Sequence, residues 1–247
     1  MPAQVSPGNT RNRHHRHYNR LLAVCVALLV CFALPHPWNR LASIGYLLLG
    51  LVLIRGLGRP PALLQAGPWP RRLFQTAGLA AVGVWLLWTL TPLEQRSTGI
   101  PVIVLWTLFS GWSAIRLIRL LAQEQLVNGL VLRGALAGYL MLGLTSGLLF
   151  CALETIAPGS FSHAEVESLA GGQTPVWGLN FVRLHYFAFV SLTTTGYGDV
   201  APQTPLAQMV SVAVAVTGTV YVAAVMGVLI SRLTVQESRQ RDDTPNP

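Results

Sequence analysis

Apolar residues in this chain fall into six long runs, and most of the breaks between them carry arginine. A bilayer core of about 30 Å needs about 20 helical residues at 1.5 Å rise each. Four runs meet that length: Leu73 to Leu90, Ile100 to Leu121, Leu130 to Leu153 and Leu206 to Leu233. Two earlier runs, Leu21 to Leu34 and Leu41 to Ile54, are shorter. They reach spanning length by placing Tyr18 or Trp38 at the interface while Arg20, Arg40 or Arg55 snorkels. The pattern therefore predicts six transmembrane helices in an all-α integral membrane protein. Reading the first run as a signal-peptide core is weaker, because no small-x-small cleavage site follows and "LPHPW" suits the turn of a helical hairpin.

A seventh apolar stretch, Phe181 to Leu192, is aromatic and too short to cross; it suits a re-entrant helix of about three turns. The polar, glycine-rich "SLTTTGYGDV" follows it. Irregular backbone at membrane depth is tolerated only where protein buries it or where it lines a watery path. The segment is therefore expected to line a pore.

Composition agrees with a membrane protein: 52% of the 247 residues are hydrophobic and 11% charged, against about a quarter charged in soluble domains. All 17 basic residues are arginine and none sits at the centre of a run. With six spans, Arg11, Arg13, Arg16, Arg20, Arg55, Arg59, Arg71, Arg72, Arg116, Arg119, Arg133, Arg232, Arg239 and Arg241 fall on one side, against Arg40, Arg96 and Arg183 on the other. Positive residues mark the cytoplasmic face, so both termini are expected there. The net charge of +8 then serves topology and needs no nucleic acid. Glu94, Glu154, Glu165, Glu167 and Asp199 fall outside, where they would favour cations.

Cys25, Cys31 and Cys151 lie within or at the end of apolar runs without C-x-x-C spacing, and read as small apolar residues. The basic tail at residues 1–20 contains "RNRHHRHYNR" and is expected to bind anionic lipid; His14, His15 and His17 offer metal binding or pH sensing as alternatives. Residues 21–122 form a peripheral four-helix region, residues 130–233 a pore region, and residues 234–247 a disordered cytoplasmic tail. An enzyme or transporter is disfavoured: H-E-x-x-H, G-x-S-x-G, a membrane-buried acid pair and an inverted repeat are all missing.

Thr194, Gly196, Tyr197, Gly198 and Asp199 spell T-x-G-Y-G-D, and in this the chain resembles the potassium channel family over about residues 130 to 233. Five such positions would coincide in a chain this long roughly once in ten thousand. The resemblance implies a tetrameric pore-loop architecture in which four copies surround a potassium pathway, with no cofactor beyond the permeant ion. It implies that the carbonyls of Thr194, Thr195, Gly196 and Tyr197, with the Thr194 hydroxyl innermost, replace the ion's water shell. A column of carbonyls facing one way needs alternating backbone conformations, and glycine reaches positive φ without steric cost. Gly196 and Gly198 supply that freedom. Tyr197 is expected to pack on Tyr186 or Phe187 of the pore helix, and Asp199 to stand at the outer mouth. The helix C-terminus would favour a cation before the filter.

Gly218 sits where many such channels carry a hinge glycine, and fits a small packing residue equally well. Val222, Met226 and Ile230 recur every four residues, which suits either a hydrophobic constriction or helix packing. Two departures from the family pattern stand out. Thr195 replaces the usual valine or isoleucine, and its hydroxyl is expected to disturb packing behind the filter; Val190 stands where some members keep a glutamate. Thr195 therefore raises a non-selective cation channel as the alternative, beside a non-conducting subunit. The fourth run carries only Arg116 and Arg119, and the second and third contain no acid. That is too little charge for a voltage sensor.

Overall fold

The structure, a computed structural model, describes residues 7–34, 41–57, 69–90, 96–123, 129–164 and 180–242. Eight α-helices occupy them: α1 (Pro7–Ala33), α2 (Leu41–Leu57), α3 (Trp69–Leu90), α4 (Arg96–Gln123), α5 (Gly129–Ile156), α6 (Phe181–Leu192), α7 (Pro205–Val220) and α8 (Gly227–Asp242). A π-helical segment, Tyr221–Met226, joins α7 to α8 without a break. Among the described residues the sole β feature is an isolated bridge between Phe161 and Pro202.

Among the described residues three stretches are long and apolar enough to cross a membrane: Gly99–Ala122, Gly129–Ile156 and Pro205–Val235. The stretches His17–Ala33, Ala42–Leu57 and Arg72–Trp88 are shorter apolar helices. The third run, expected at full spanning length, lies in α3, a helix of 22 residues. These helices make the chain an integral membrane protein.

Helix extends further at both ends than the apolar runs suggest. The basic N-terminal segment is helical from Pro7, whose fixed φ suits a first helical turn. The C-terminal segment, expected to be disordered from residue 234, is instead helical through Asp242. No glycine or proline interrupts residues 228–244, and Gln, Glu and Arg extend a helix already started at little cost.

Helix α5 is the axis of the packing, touching α1, α4, α6 and α7. Its small residues let aromatic side chains approach the backbone. A Cβ on Gly134 would lie 2.9 Å from the Tyr18 ring of α1, while the rings of Phe189 and His185 fill the space that Cβ atoms on Gly143 and Gly147 would need. The Ser110 and Thr145 hydroxyls bond across α4 and α5 at 2.6 Å. One buried core joins α1 to α4 with the inner half of α5 and Leu229 of α8. A second gathers Phe150, Phe161, Leu184, Phe187 and Val214 around α6. Residues 21–122 and 130–233 are therefore not separated in packing, since α5 contributes to both cores.

Candidate ion pathway

Asn180 opens α6, its side-chain oxygen accepting the Arg183 N–H at 3.0 Å in an N-cap. At the other end the chain leaves the helix through its own last carbonyls. Phe189 O accepts both the Thr193 N–H at 2.9 Å and the Thr193 hydroxyl at 2.8 Å. Ser191 O accepts the Thr194 N–H and Val190 O the Thr195 N–H, each at 3.0 Å. The three threonines are therefore anchored on carbonyls that a helix end would otherwise leave open.

Beyond them the backbone alternates. Thr194, Gly196 and Gly198 have φ of +57°, +62° and +80°, every second residue being left-handed. No atom lies within 4 Å of a Cβ built on Gly196 or Gly198, so glycine is required there by backbone conformation rather than by space. Thr194 is a β-branched residue in a region such residues rarely adopt; its N–H and that of Thr195 are both tied to α6, which holds the strained turn. The Thr194 hydroxyl donates to Thr193 O at 2.7 Å. The Thr195 hydroxyl lies 2.8 Å from that of Thr193. Because Thr193 already donates to Phe189 O, Thr195 is the donor of this pair.

Tyr197 and Tyr186 lie parallel within 4°, with ring centroids 6.3 Å apart. Phe187 does not join them: it packs at 5.1 Å on Phe150 and 5.5 Å on Phe161 inside the second core. The Asp199 carboxylate accepts the Val200 N–H at 3.1 Å. Glu154 is not an external charge. It is fully buried at the end of α5 and accepts the Gly159 and Phe161 N–H groups at 2.7 and 2.9 Å. That turn in turn clasps the chain leaving the glycine loop, through Ser162 N–H to Ala201 O at 2.9 Å and Gln203 N–H to Ser160 O at 2.7 Å. Glu94, Glu165 and Glu167 lie outside the described residues.

The exit then turns into α7, with Thr204 as N-cap, its hydroxyl accepting the Ala207 N–H at 3.3 Å, and Pro205 opening the helix. Gly218 is buried in helical backbone against the end of α6, where an added Cβ would run into the Leu192 carbonyl. Tyr139 of α5 donates to the same carbonyl at 3.4 Å. The irregular backbone lies just beyond, in Tyr221–Met226, and Tyr221 there donates to Ala135 O of α5 at 2.6 Å. Since a π turn closes i to i+5, the spacing of four does not keep Val222, Met226 and Ile230 on one face. Val222 and Ile230 are exposed, whereas Met226 packs on the first core.

Of the N-terminal histidines, His17 turns into the bundle against Gly56 of α2, while the side chains of His14 and His15 lie outside the described residues. Cys25 and Cys151 are buried and Cys31 half-buried, all as free thiols. Thr193, Tyr139 and Glu154 emerge from the geometry as supports of the loop that the T-x-G-Y-G-D string does not include. Glu154 was recognisable as an acid at a helix end, but its burial was not.

A family model described as an ion channel matches residues 139–235, from Tyr139 in α5 through α6 and the glycine loop to Val235 in α8. Comparison with curated proteins and with solved structures yields no match. The matched residues are those that bring a short helix, an alternating loop and two long apolar helices together. In this integral membrane protein, residues 139–235 thus match an ion-channel family.

Proposed function

We propose that this protein is a potassium-selective channel that works as a homotetramer, each chain lending residues Thr194 to Gly198 to one central filter. The observation that carries the reading is the left-handed backbone at Thr194, Gly196 and Gly198, the alternation that a column of inward carbonyls requires. Passive conduction follows from exchanging the ion's water shell for those carbonyls. Asp199 stands at the outer mouth, Tyr186 and Tyr197 brace the loop, the hinge belongs to the π-helical stretch Tyr221–Met226, and the exposed Val222 and Ile230 are the side chains left for a constriction. Six spans with both termini cytoplasmic, the basic N-terminal helix on anionic lipid, and no strong voltage dependence complete the reading. Arg116 supports the last point: its guanidinium rests 4.4 Å above the Phe74 ring, a cation–π contact.

The non-selective alternative rested on a disruptive Thr195 hydroxyl. That hydroxyl has a partner in Thr193, which favours an ordered loop and therefore the selective reading. The test is ion flux through purified protein in liposomes. Potassium and rubidium are expected to pass and sodium to be refused, with Gly196→Ala silent. Equal sodium and potassium flux would sink the selective reading.

A further inference from the structure

Helices α1 and α2 lie wholly outside the matched channel segment, yet both reach one side chain of α6, His185. His185 is buried, with 1% of its surface exposed, and a buried imidazole is costly unless both nitrogens are bonded. Its Nδ1 is 2.7 Å from Phe181 O. A carbonyl only accepts, so Nδ1 carries the proton and Nε2 is left as an acceptor. The Tyr46 hydroxyl of α2, 139 residues away in sequence, lies 2.5 Å from that Nε2 and is therefore the donor. The Phe32 ring of α1 sits 4.6 Å from the imidazole, Trp106 of α4 stands edge-on to Tyr46 at 6.2 Å, and Gly147 of α5 leaves room for the ring.

One helical turn later, on the same face of α6, Phe189 packs against the first core. Its carbonyl is the one that holds both the N–H and the hydroxyl of Thr193. A three-turn helix joins the two points, so a shift at His185 moves the first anchor of the filter loop.

We propose that Tyr46 and His185 are positioning residues: their buried hydrogen bond lets the N-terminal helices set the seat of the pore helix and so the discrimination made by the filter. This rests on the potassium-channel reading above. None of the residues touches the ion.

The experiment compares wild type, Tyr46→Phe, His185→Leu and His185→Gln in liposomes, by potassium-to-sodium flux ratio and by 15N NMR of the histidine ring nitrogens. The His185 resonances are assigned by their loss in the Gln variant. Tyr46→Phe strips the donor from a buried acceptor and is expected to lower the flux ratio about tenfold while shifting the Nε2 resonance. His185→Leu should match it, whereas His185→Gln, which keeps an acceptor at the end of its side chain, should retain most of the ratio. An Nε2 resonance unmoved by Tyr46→Phe would show that the bond does not exist and overturn the proposal. A moved resonance with an unchanged flux ratio would overturn the positioning role. Wild type that fails to separate potassium from sodium would instead overturn the channel reading, and this role with it, while the resonance still decides the contact.

Discussion

Thr195 shows how far a single side chain can be read without coordinates. As a departure from valine it predicts trouble behind the filter, and the prediction misses the partner, because residues at i and i+2 do not face each other in a helix and Thr193 and Thr195 meet once the chain has left α6. The resulting chain runs from Thr195 hydroxyl to Thr193 hydroxyl to Phe189 O. Its energetics are asymmetric. Thr195→Val leaves Thr193 still bonded to Phe189 O, so little should change. Thr193→Val leaves the Thr195 hydroxyl without its acceptor, at a cost of about 1–3 kcal/mol once neighbouring copies cover it. Removing both hydroxyls together should be close to neutral. The expected order of potassium-to-sodium selectivity is therefore wild type, Thr195→Val and the double variant close together, with Thr193→Val alone about tenfold lower. A double variant as poor as Thr193→Val would show that the hydroxyls act independently. The positive φ of Gly196 and Gly198, in contrast, was legible, since it is a requirement of local backbone conformation.

At the level of elements, the boundaries of α6 were legible to the residue, because a twelve-residue apolar, aromatic run stands between polar neighbours. The π-helical segment was not: nothing in "YVAAVM" distinguishes it from α-helix, and its geometry depends on Tyr221 reaching across to Ala135 O. Gly218 was legible only as a choice between hinge and packing. Its place against Leu192 O supplies the packing requirement outright. Gly218→Ala would set a methyl group on a carbonyl of a neighbouring helix, with backbone on both sides and no flexible side chain to yield. It should destabilise by about 2 kcal/mol and lower the thermal unfolding midpoint of the purified protein. Gly83→Ala in α3, where a Cβ meets no atom within 4 Å, should instead stabilise by about 0.5–1 kcal/mol through lower backbone entropy. Equal midpoints for the two variants would show that α6 and α7 do not meet as closely as this.

The whole molecule poses a solvation problem that one chain cannot solve. Residues 193–199 are all exposed in the single chain, as are Val212, Val216 and Val220 along the inner helix. Lipid can cover valines. It cannot cover three threonines and an irregular, carbonyl-rich loop, since unpaired polar backbone in hydrocarbon costs several kcal/mol per group. Something must therefore supply water or protein on that side, and the inner helix, with 22% of its apolar window buried against 61% for α5, leaves ample surface for it. This much could not be read from hydropathy, which finds spans but not which of their faces stay unpartnered. Identical chains close such faces by rotational symmetry, and in the channel proposed above one loop per chain makes one quarter of a four-fold cage. The detergent-solubilised protein should therefore have four times the mass of one chain, by light scattering corrected for bound detergent, and should keep that mass in potassium. A monomer under those conditions would leave the loop facing detergent, and the central filter could not exist in the form argued above. A dimer would mean that the loop is covered by a different partner face, and the four-fold carbonyl cage would fall while the hydrogen-bonded loop of the single chain remained.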